Sequence, residues 1–125
     1  MADIGIKQIG QIAIVVHDTD RAVEFYRDVL GLKLLFRAGK LAFVDCGGIR
    51  LMLTPAEKPE LDHPASILYF KVDDIQGTYA RLIHRNVKTE ERPHVVAKMP
   101  DHDLWLCAFR DCENNLLCLM SEVRQ

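Results

Sequence analysis

Along this chain, apolar residues recur with two different spacings, and the order of those spacings occurs twice. Ile12–Val16 is a short apolar run. Asp18, Thr19 and Asp20 follow it, and Asp18 or Thr19 can cap a helix N-terminus. Ala22, Val23, Phe25, Tyr26, Val29 and Leu30 then recur at helical spacing, which predicts a helix stopped at Gly31. Three strand-like runs come next: Leu32–Phe36, Leu41–Cys46 and Ile49–Leu53. Gly47-Gly48 reads as a hairpin turn between the last two. The expected order is β-α-β-β-β. After a proline-containing stretch the pattern returns: Leu68–Val72, a cap at Asp73-Asp74, and helix-spaced Ile75, Tyr79, Leu82 and Ile83. Asn86 is the stop, because Asn tolerates the left-handed region. Val87–Glu91, His94–Lys98, Leu104–Arg110 and Leu116–Met120 read as strands, the last two joined by Asp111–Asn115.

Gln11, Val16 and Asp18 align with Ile67, Val72 and Asp74, whereas Met52 aligns with Cys118 at a larger offset. The second unit thus carries about ten extra residues, which the reading places in a loop at 91–103. The expected organisation is one domain over 1–125: a first βαβββ module at 5–54, a linker at 55–66 and a second module at 67–123. A helix covers only one face of such a sheet, so two modules are expected to share a concave apolar surface. The fold class is α+β, an eight-stranded cup-shaped mixed sheet with helices outside.

Composition narrows the function. Hydrophobic residues make up 49% and charged residues 27% of 125, with a formal charge of −2. That is globular composition without a basic face, so nucleic acid is not an expected partner. No run approaches the roughly 20 apolar residues of a membrane span, and the opening residues do not read as a signal peptide. Cys46, Cys107, Cys112 and Cys118 lack C-x-x-C spacing, and three of them lie in apolar runs. This predicts reduced thiols and a cytoplasmic location.

The segment 9–32, IGQIAIVVHDTDRAVEFYRDVLGL, resembles the opening signature of the vicinal-oxygen-chelate superfamily (glyoxalase/bleomycin resistance protein/dioxygenase-like), and FYRDVLGL at 25–32 is its most specific piece. Residues 109–122, FRDCENNLLCLMSE, are similar to the closing pattern F-x-D-P-x-G-N-x-x-x-L, with Cys112 for Pro and Asn114 for Gly. The resemblance implies a divalent metal held from the first and last strand of each module. The matching positions are Gln11, Met52, Ile67 and Cys118. Gln11 is a serviceable ligand; Met52 and Ile67 offer no hard donor, and Cys118 alone is a poor one. No metal or other cofactor is therefore expected at these positions, although His63, His94 and His102 leave a non-family site open. The implied function is a glyoxalase-like lyase or isomerase with a degenerate metal site. The alternative is a metal-free binding or sequestration protein of the bleomycin-resistance type.

Strand alternation supplies the site. Ile12, Ile14 and Val16, with Leu68, Phe70 and Val72, are expected under the helices; Gln11, Ala13, Val15, Ile67, Tyr69 and Lys71 are expected on the opposite faces. A two-residue turn pairs Cys46 with Ile49, Asp45 with Arg50 and Phe43 with Met52. Carrying the Met52-to-Cys118 offset across the hairpin places Phe109, Cys107 and Trp105 beside Cys118. The expected ligand pocket is Gln11, Phe43, Arg50, Met52, Ile67, Tyr69, Trp105 and Cys118. Arg50 is expected to fix an anionic group, with Gln11 and Tyr69 as neutral partners, unless Asp45 holds it as a structural pair. Tyr69 and Trp105 can equally be core. His102, in a charged hairpin tip, is the sole catalytic candidate. A small-molecule ligand and a homodimer complete the expectations.

Overall fold

The computed structural model describes residues 4–64 and 66–125. The opening residues 1–3 and linker residue Ala65 lie outside the described residues. Two compact units meet between His63 and Pro64. Each contains one four-stranded mixed sheet and one helix, so the eight strands hydrogen-bond as two sheets.

The first unit holds β1 (Gln11–Val15), α1 (Thr19–Val23), β2 (Lys33–Ala38), β3 (Leu41–Cys46) and β4 (Ile49–Thr54). Its strand order is β1-β4-β3-β2, with β1 parallel to β4 and the other pairs antiparallel. Asp18 is the helix cap: its carboxylate accepts from the Arg21 backbone N–H at 3.1 Å. Thr19 donates instead to the Lys40 carbonyl at 2.7 Å, tying the helix start to the β2–β3 turn. The helix continues from Glu24 to Val29 as a π-helix, with Leu30 N–H donating to the Phe25 carbonyl at 2.9 Å. A search at 3.6-residue spacing does not register that wider turn. Gly31 ends it at φ +81°, where a side chain would be strained. The helix packs on β3 and β4. Ile14, Val16, Tyr26, Val44, Leu51 and Leu53 are each 2% exposed or less. Each such side chain contributes on the order of 1.5–3 kcal/mol by leaving water.

Gly47 and Gly48 both have positive φ, and their turn sets Cys46 opposite Ile49, Asp45 opposite Arg50 and Phe43 opposite Met52. A two-residue turn of this kind leaves no freedom in register, which is why the pairing can be read from the sequence.

The second unit holds β5 (Leu68–Lys71), α2 (Ile75–His84), β6 (His94–Lys98), β7 (His102–Arg110) and β8 (Leu116–Arg124), in the order β5-β8-β7-β6. Asp74 caps α2, accepting from the Gly77 N–H at 3.0 Å, and Asn86 ends it at φ 61°. Ile75, Leu82, Val87, Cys107, Phe109, Leu117 and Leu119 are buried in this unit.

Two expectations for this unit need correction. Val87–Glu91 is not a strand. It makes a single bridge, Thr89 to Phe109, flanked by Glu90 N–H to the Ala108 carbonyl and Arg110 N–H to the Lys88 carbonyl. Pro93 has no N–H to continue the ladder, so the chain leaves β7 before rejoining it as β6. The range 91–103 is likewise not a loop, because it contains β6 and the start of β7. The extra length of this unit lies partly in a longer hairpin: β7 and β8 have 9 residues each, against 6 each in β3 and β4.

Candidate functional site

On β4, alternation sends Leu51 and Leu53 under the helix and turns Arg50 and Met52 to the opposite face. Parallel pairing with β1 sets Gln11 beside Arg50 and Ala13 beside Met52. Antiparallel pairing with β3 adds Phe43 to that face. On β2, the register shifts between Leu34 and Phe36, and the shift brings Phe36 opposite Phe43.

These side chains form one connected group. Arg50 Nε donates to Gln11 Oε1 at 2.9 Å, and Gln11 Nε2 lies 3.5 Å from Met52 Sδ. The Arg50 guanidinium carbon sits 5.2 Å from the Phe43 ring centroid, within cation–π range. Phe36 stacks on Phe43 with centroids 4.4 Å apart and planes at 23°. Phe43 is thereby covered to 8% exposure, while Phe36 remains 48% exposed. Asp45, although directly opposite Arg50 in the ladder, makes no ion pair with it. Its carboxylate accepts from the Gly48 N–H at 3.2 Å, inside the turn. The guanidinium is therefore held by a neutral amide and a ring, and among the described residues no carboxylate forms an ion pair with it.

In the second unit the corresponding face carries Tyr69 and Cys118, opposite each other on β5 and β8. Tyr69 is 51% exposed and Cys118 6%. Burial pushes the Cys118 thiol up, the nearby Glu91 charge adds to this, and a hydrogen bond from the Tyr69 hydroxyl partly offsets both. Lys71 and Glu122 lie 3.8 Å apart on the same face. Ile67 is exposed just before β5.

Trp105 does not share this face. It lies opposite Ser121, and Cys107 and Phe109 lie opposite Leu119 and Leu117. Residues directly opposite share a face, so all three belong with the residues under α2. The residue opposite Cys118 is Ala108. The reason is the turn: two residues join β3 to β4, but the five from Asp111 to Asn115 join β7 to β8. The odd difference reverses parity in β7 relative to an offset measured on β8. Leu106, Ala108 and Arg110 take the positions expected for Trp105, Cys107 and Phe109. Arg110 donates from Nε to Glu90 at 2.9 Å, and this bond lowers the Glu90 carboxyl below the ordinary range.

On the second sheet His94 stands opposite Leu106 and His102 opposite Arg124, which puts both on the Tyr69–Cys118 face. His102 starts β7, with Nδ1 2.7 Å from Asp101. Around it Gln125 Nε2 donates to the Met99 carbonyl at 2.9 Å and to Asp103 at 3.0 Å. This arrangement closes the hairpin end onto the C-terminus. His94 Nδ1 lies 2.9 Å from the Arg92 carbonyl. His17 Nε2 lies 2.9 Å from Asp62, linking the start of α1 to the 3-10 turn Pro59–Leu61.

The four positions implied for a divalent metal do not fit one. The Gln11 oxygen already accepts from a cation, Arg50. Met52 offers a soft thioether, Ile67 has no donor, and the Cys118 thiol is shifted away from the thiolate that metals require. Among the described residues, no three His, Cys, Asp or Glu side chains are grouped to hold an ion.

Two βαβββ units, each with β1 or β5 parallel to the last strand, define a particular class of small α+β protein. The chain belongs to the Glyoxalase/Bleomycin resistance protein/Dioxygenase superfamily, whose family model matches residues 8–119. It is 32% identical over 124 residues to the uncharacterized protein YraH of Bacillus subtilis (strain 168), covering 86% of this chain and 92% of that one. Among solved structures, it is similar to a superfamily member from Sphaerobacter thermophilus DSM 20745 at 22% identity. The TM-score is 0.76, over 94% of this chain and 98% of that chain. It is also similar to lactoylglutathione lyase from Agrobacterium tumefaciens, at 24% identity and TM-score 0.71, covering 93% and 94%. At these identities the structural likenesses speak to fold alone.

Phe36 is the site residue that sequence spacing missed. Its place depends on a bulge in β2, for which the local sequence carries no glycine or other marker. Gln11, expected as a ligand partner, accepts from Arg50 through its side-chain oxygen.

Proposed function

We propose that this chain binds a small anionic molecule on the open face of its first sheet, with the Arg50 guanidinium serving where family members use a divalent cation. The observation that carries this is the 2.9 Å bond from Arg50 Nε to Gln11 Oε1. It turns the first family ligand position into the support of a fixed positive charge. A guanidinium supplies charge and directed donors, which suffice to bind an oxyanion. The lyase or isomerase reading has less support, since the donors at Gln11, Met52, Ile67 and Cys118 suit no hard ion. Metal-independent binding of the bleomycin-resistance type is therefore the preferred activity. No described helix is long and apolar enough to cross a membrane, and a cytoplasmic binder is the accompanying proposal.

Calorimetric titration with small carboxylates and inorganic phosphate, before and after EDTA, tests this. Binding of at least one anion is expected to be unaffected by EDTA and to weaken at least about tenfold in Arg50→Met. Arg50 is exposed and forms no ion pair among the described residues, so that variant is expected to melt within a few degrees of wild type. Anion binding that disappears with EDTA, or that survives Arg50→Met unchanged, refutes the proposal.

A further inference from the structure

Arg50 shares its sheet face with an aromatic pair of which only the inner ring is covered. Phe43 lies beneath the guanidinium at 5.2 Å and against Phe36 at 4.4 Å. It thus joins a fixed cation on one side to a 48% exposed ring on the other. Phe36 belongs to an edge strand, β2, and its register is set by a bulge rather than by regular pairing. Bulges commonly re-aim a side chain beside a site.

Resting on the anion reading above, we propose that the ligand is a flat, conjugated monocarboxylate, its carboxylate held by Nη1 and Nη2 of Arg50 and its ring plane laid on Phe36. Three features lead there. With Nε committed to Gln11, and no other hydrogen bond or ion pair to Arg50 among the described residues, the donors left are those on the two terminal nitrogens. They form a planar fork that matches the two oxygens of a carboxylate. The immediate surroundings are Phe43, Phe36, Met52 and Ala13; on the same face Lys33 and Asp45 stand opposite each other and offset in charge, so the face carries one net positive charge with which to balance the ligand. One negative charge is balanced; a phosphate dianion would keep a second charge against an apolar wall, which is costly. Finally, the exposed ring of Phe36 favours a partner with a π-face, which stacks with it more strongly than a puckered aliphatic ring does.

The probes are benzoate, cyclohexanecarboxylate, benzamide, acetate and inorganic phosphate, titrated by calorimetry and by amide chemical shifts of β2, β3 and β4. Benzoate is expected to bind about threefold to tenfold more tightly than cyclohexanecarboxylate and at least about tenfold more tightly than benzamide or phosphate. Phe36→Leu keeps apolar bulk at an exposed position and is expected to erase the preference for benzoate over cyclohexanecarboxylate. Should the two carboxylates bind alike in wild type, or phosphate bind best, or Phe36→Leu leave the preference intact while Arg50→Met still abolishes binding, the planar class is wrong and the anion reading stands. Should no probe depend on Arg50, both fall together.

Discussion

Asp111→Ala should be the most damaging single change on the second unit's surface turns, and its cost can be worked out from contacts. Asp111 is 6% exposed and sits at the start of the five-residue turn between β7 and β8. One carboxylate oxygen accepts from the backbone N–H groups of Glu113 and Asn115, both at 2.8 Å, and the other from Asn115 Nδ2 at 3.0 Å. Hydrogen bonds to a charged acceptor are worth roughly 1.5–3 kcal/mol each, and two of these three satisfy backbone donors that helices or strands would otherwise satisfy. Water can reach part of the turn after truncation, so the net loss should be about 2–4 kcal/mol. For a chain of this size about 4 °C is lost per kcal/mol, which predicts a fall in Tm of roughly 8–16 °C. Asp111→Asn retains an oxygen for both backbone donors but loses the negative charge and the side-chain bond, at about 1–2 kcal/mol. Differential scanning calorimetry reads both variants, and amide exchange at Glu113 and Asn115 localises the effect. If Asp111→Ala melts within 2 °C of wild type, or Asp111→Asn is as damaged as Asp111→Ala, the turn does not depend on these bonds.

Asn86→Ala should cost about 1 kcal/mol by chemical denaturation, because Asn86 holds φ 61° and alanine lacks the local hydrogen bonding that offsets that strain, whereas Asn86→Gly should be neutral or better. Burial pushes the Cys107 thiol up to about 11, with the Cys118 and Glu91 charges adding, so it should resist a disulfide reagent at neutral pH unless the protein is unfolded. The sign follows from the raised value: the protonated thiol favours the folded state, its contribution is complete below the unfolded value of about 8.5, and stability falls as pH rises from there toward 11. A homodimer is proposed because both sheets end in edge strands, β2 and β6, with exposed Leu35, Phe36, Val95 and Val96; a monomer by light scattering at micromolar concentration would contradict it.

What could be read from the sequence was what is fixed locally. The caps at Asp18 and Asp74, the stops at Gly31 and Asn86, and the Gly47-Gly48 register each depend on residues within a few positions of one another. Arg50 and Met52 could be placed on one face for that reason. The failures come from counts carried across a distance. A five-residue turn reversed the parity of Trp105, a proline interrupted the strand expected at 87–91, and a bulge aimed Phe36 at Phe43. The partnership of Gln11 with Arg50 was also out of reach, because parallel pairing of β1 with β4 is a choice of topology that no local motif encodes.

The two units place different chemistry at corresponding positions, and the difference bears on whether the chain catalyses anything. Gln11 faces Arg50 across the parallel pair of the first unit. In the second, Leu68 faces Leu117 and Tyr69 faces Cys118, so the residues one step earlier, Ile67 and Leu116, stand where the amide and guanidinium stand in the first. Two apolar side chains cannot bind or orient an oxygen ligand. Cys118 is buried and its thiol is shifted up, which withholds the thiolate, and Lys71 and Glu122 of that face lie 3.8 Å from each other. On the proposed reading, positive charge for an oxyanion comes from Arg50. A guanidinium stays protonated at any physiological pH, and so cannot take a proton from substrate. It can stabilise an enolate only if a separate base forms one. Within the first unit, Asp45 is folded into its own turn and His17 is bonded to Asp62, so neither is a free base for the Arg50 group. On the proposed anion reading, Arg50 can bind and polarise a ligand but cannot begin turnover by itself, and catalysis on this face would require a base that the group of Gln11, Phe36, Phe43, Arg50 and Met52 does not contain.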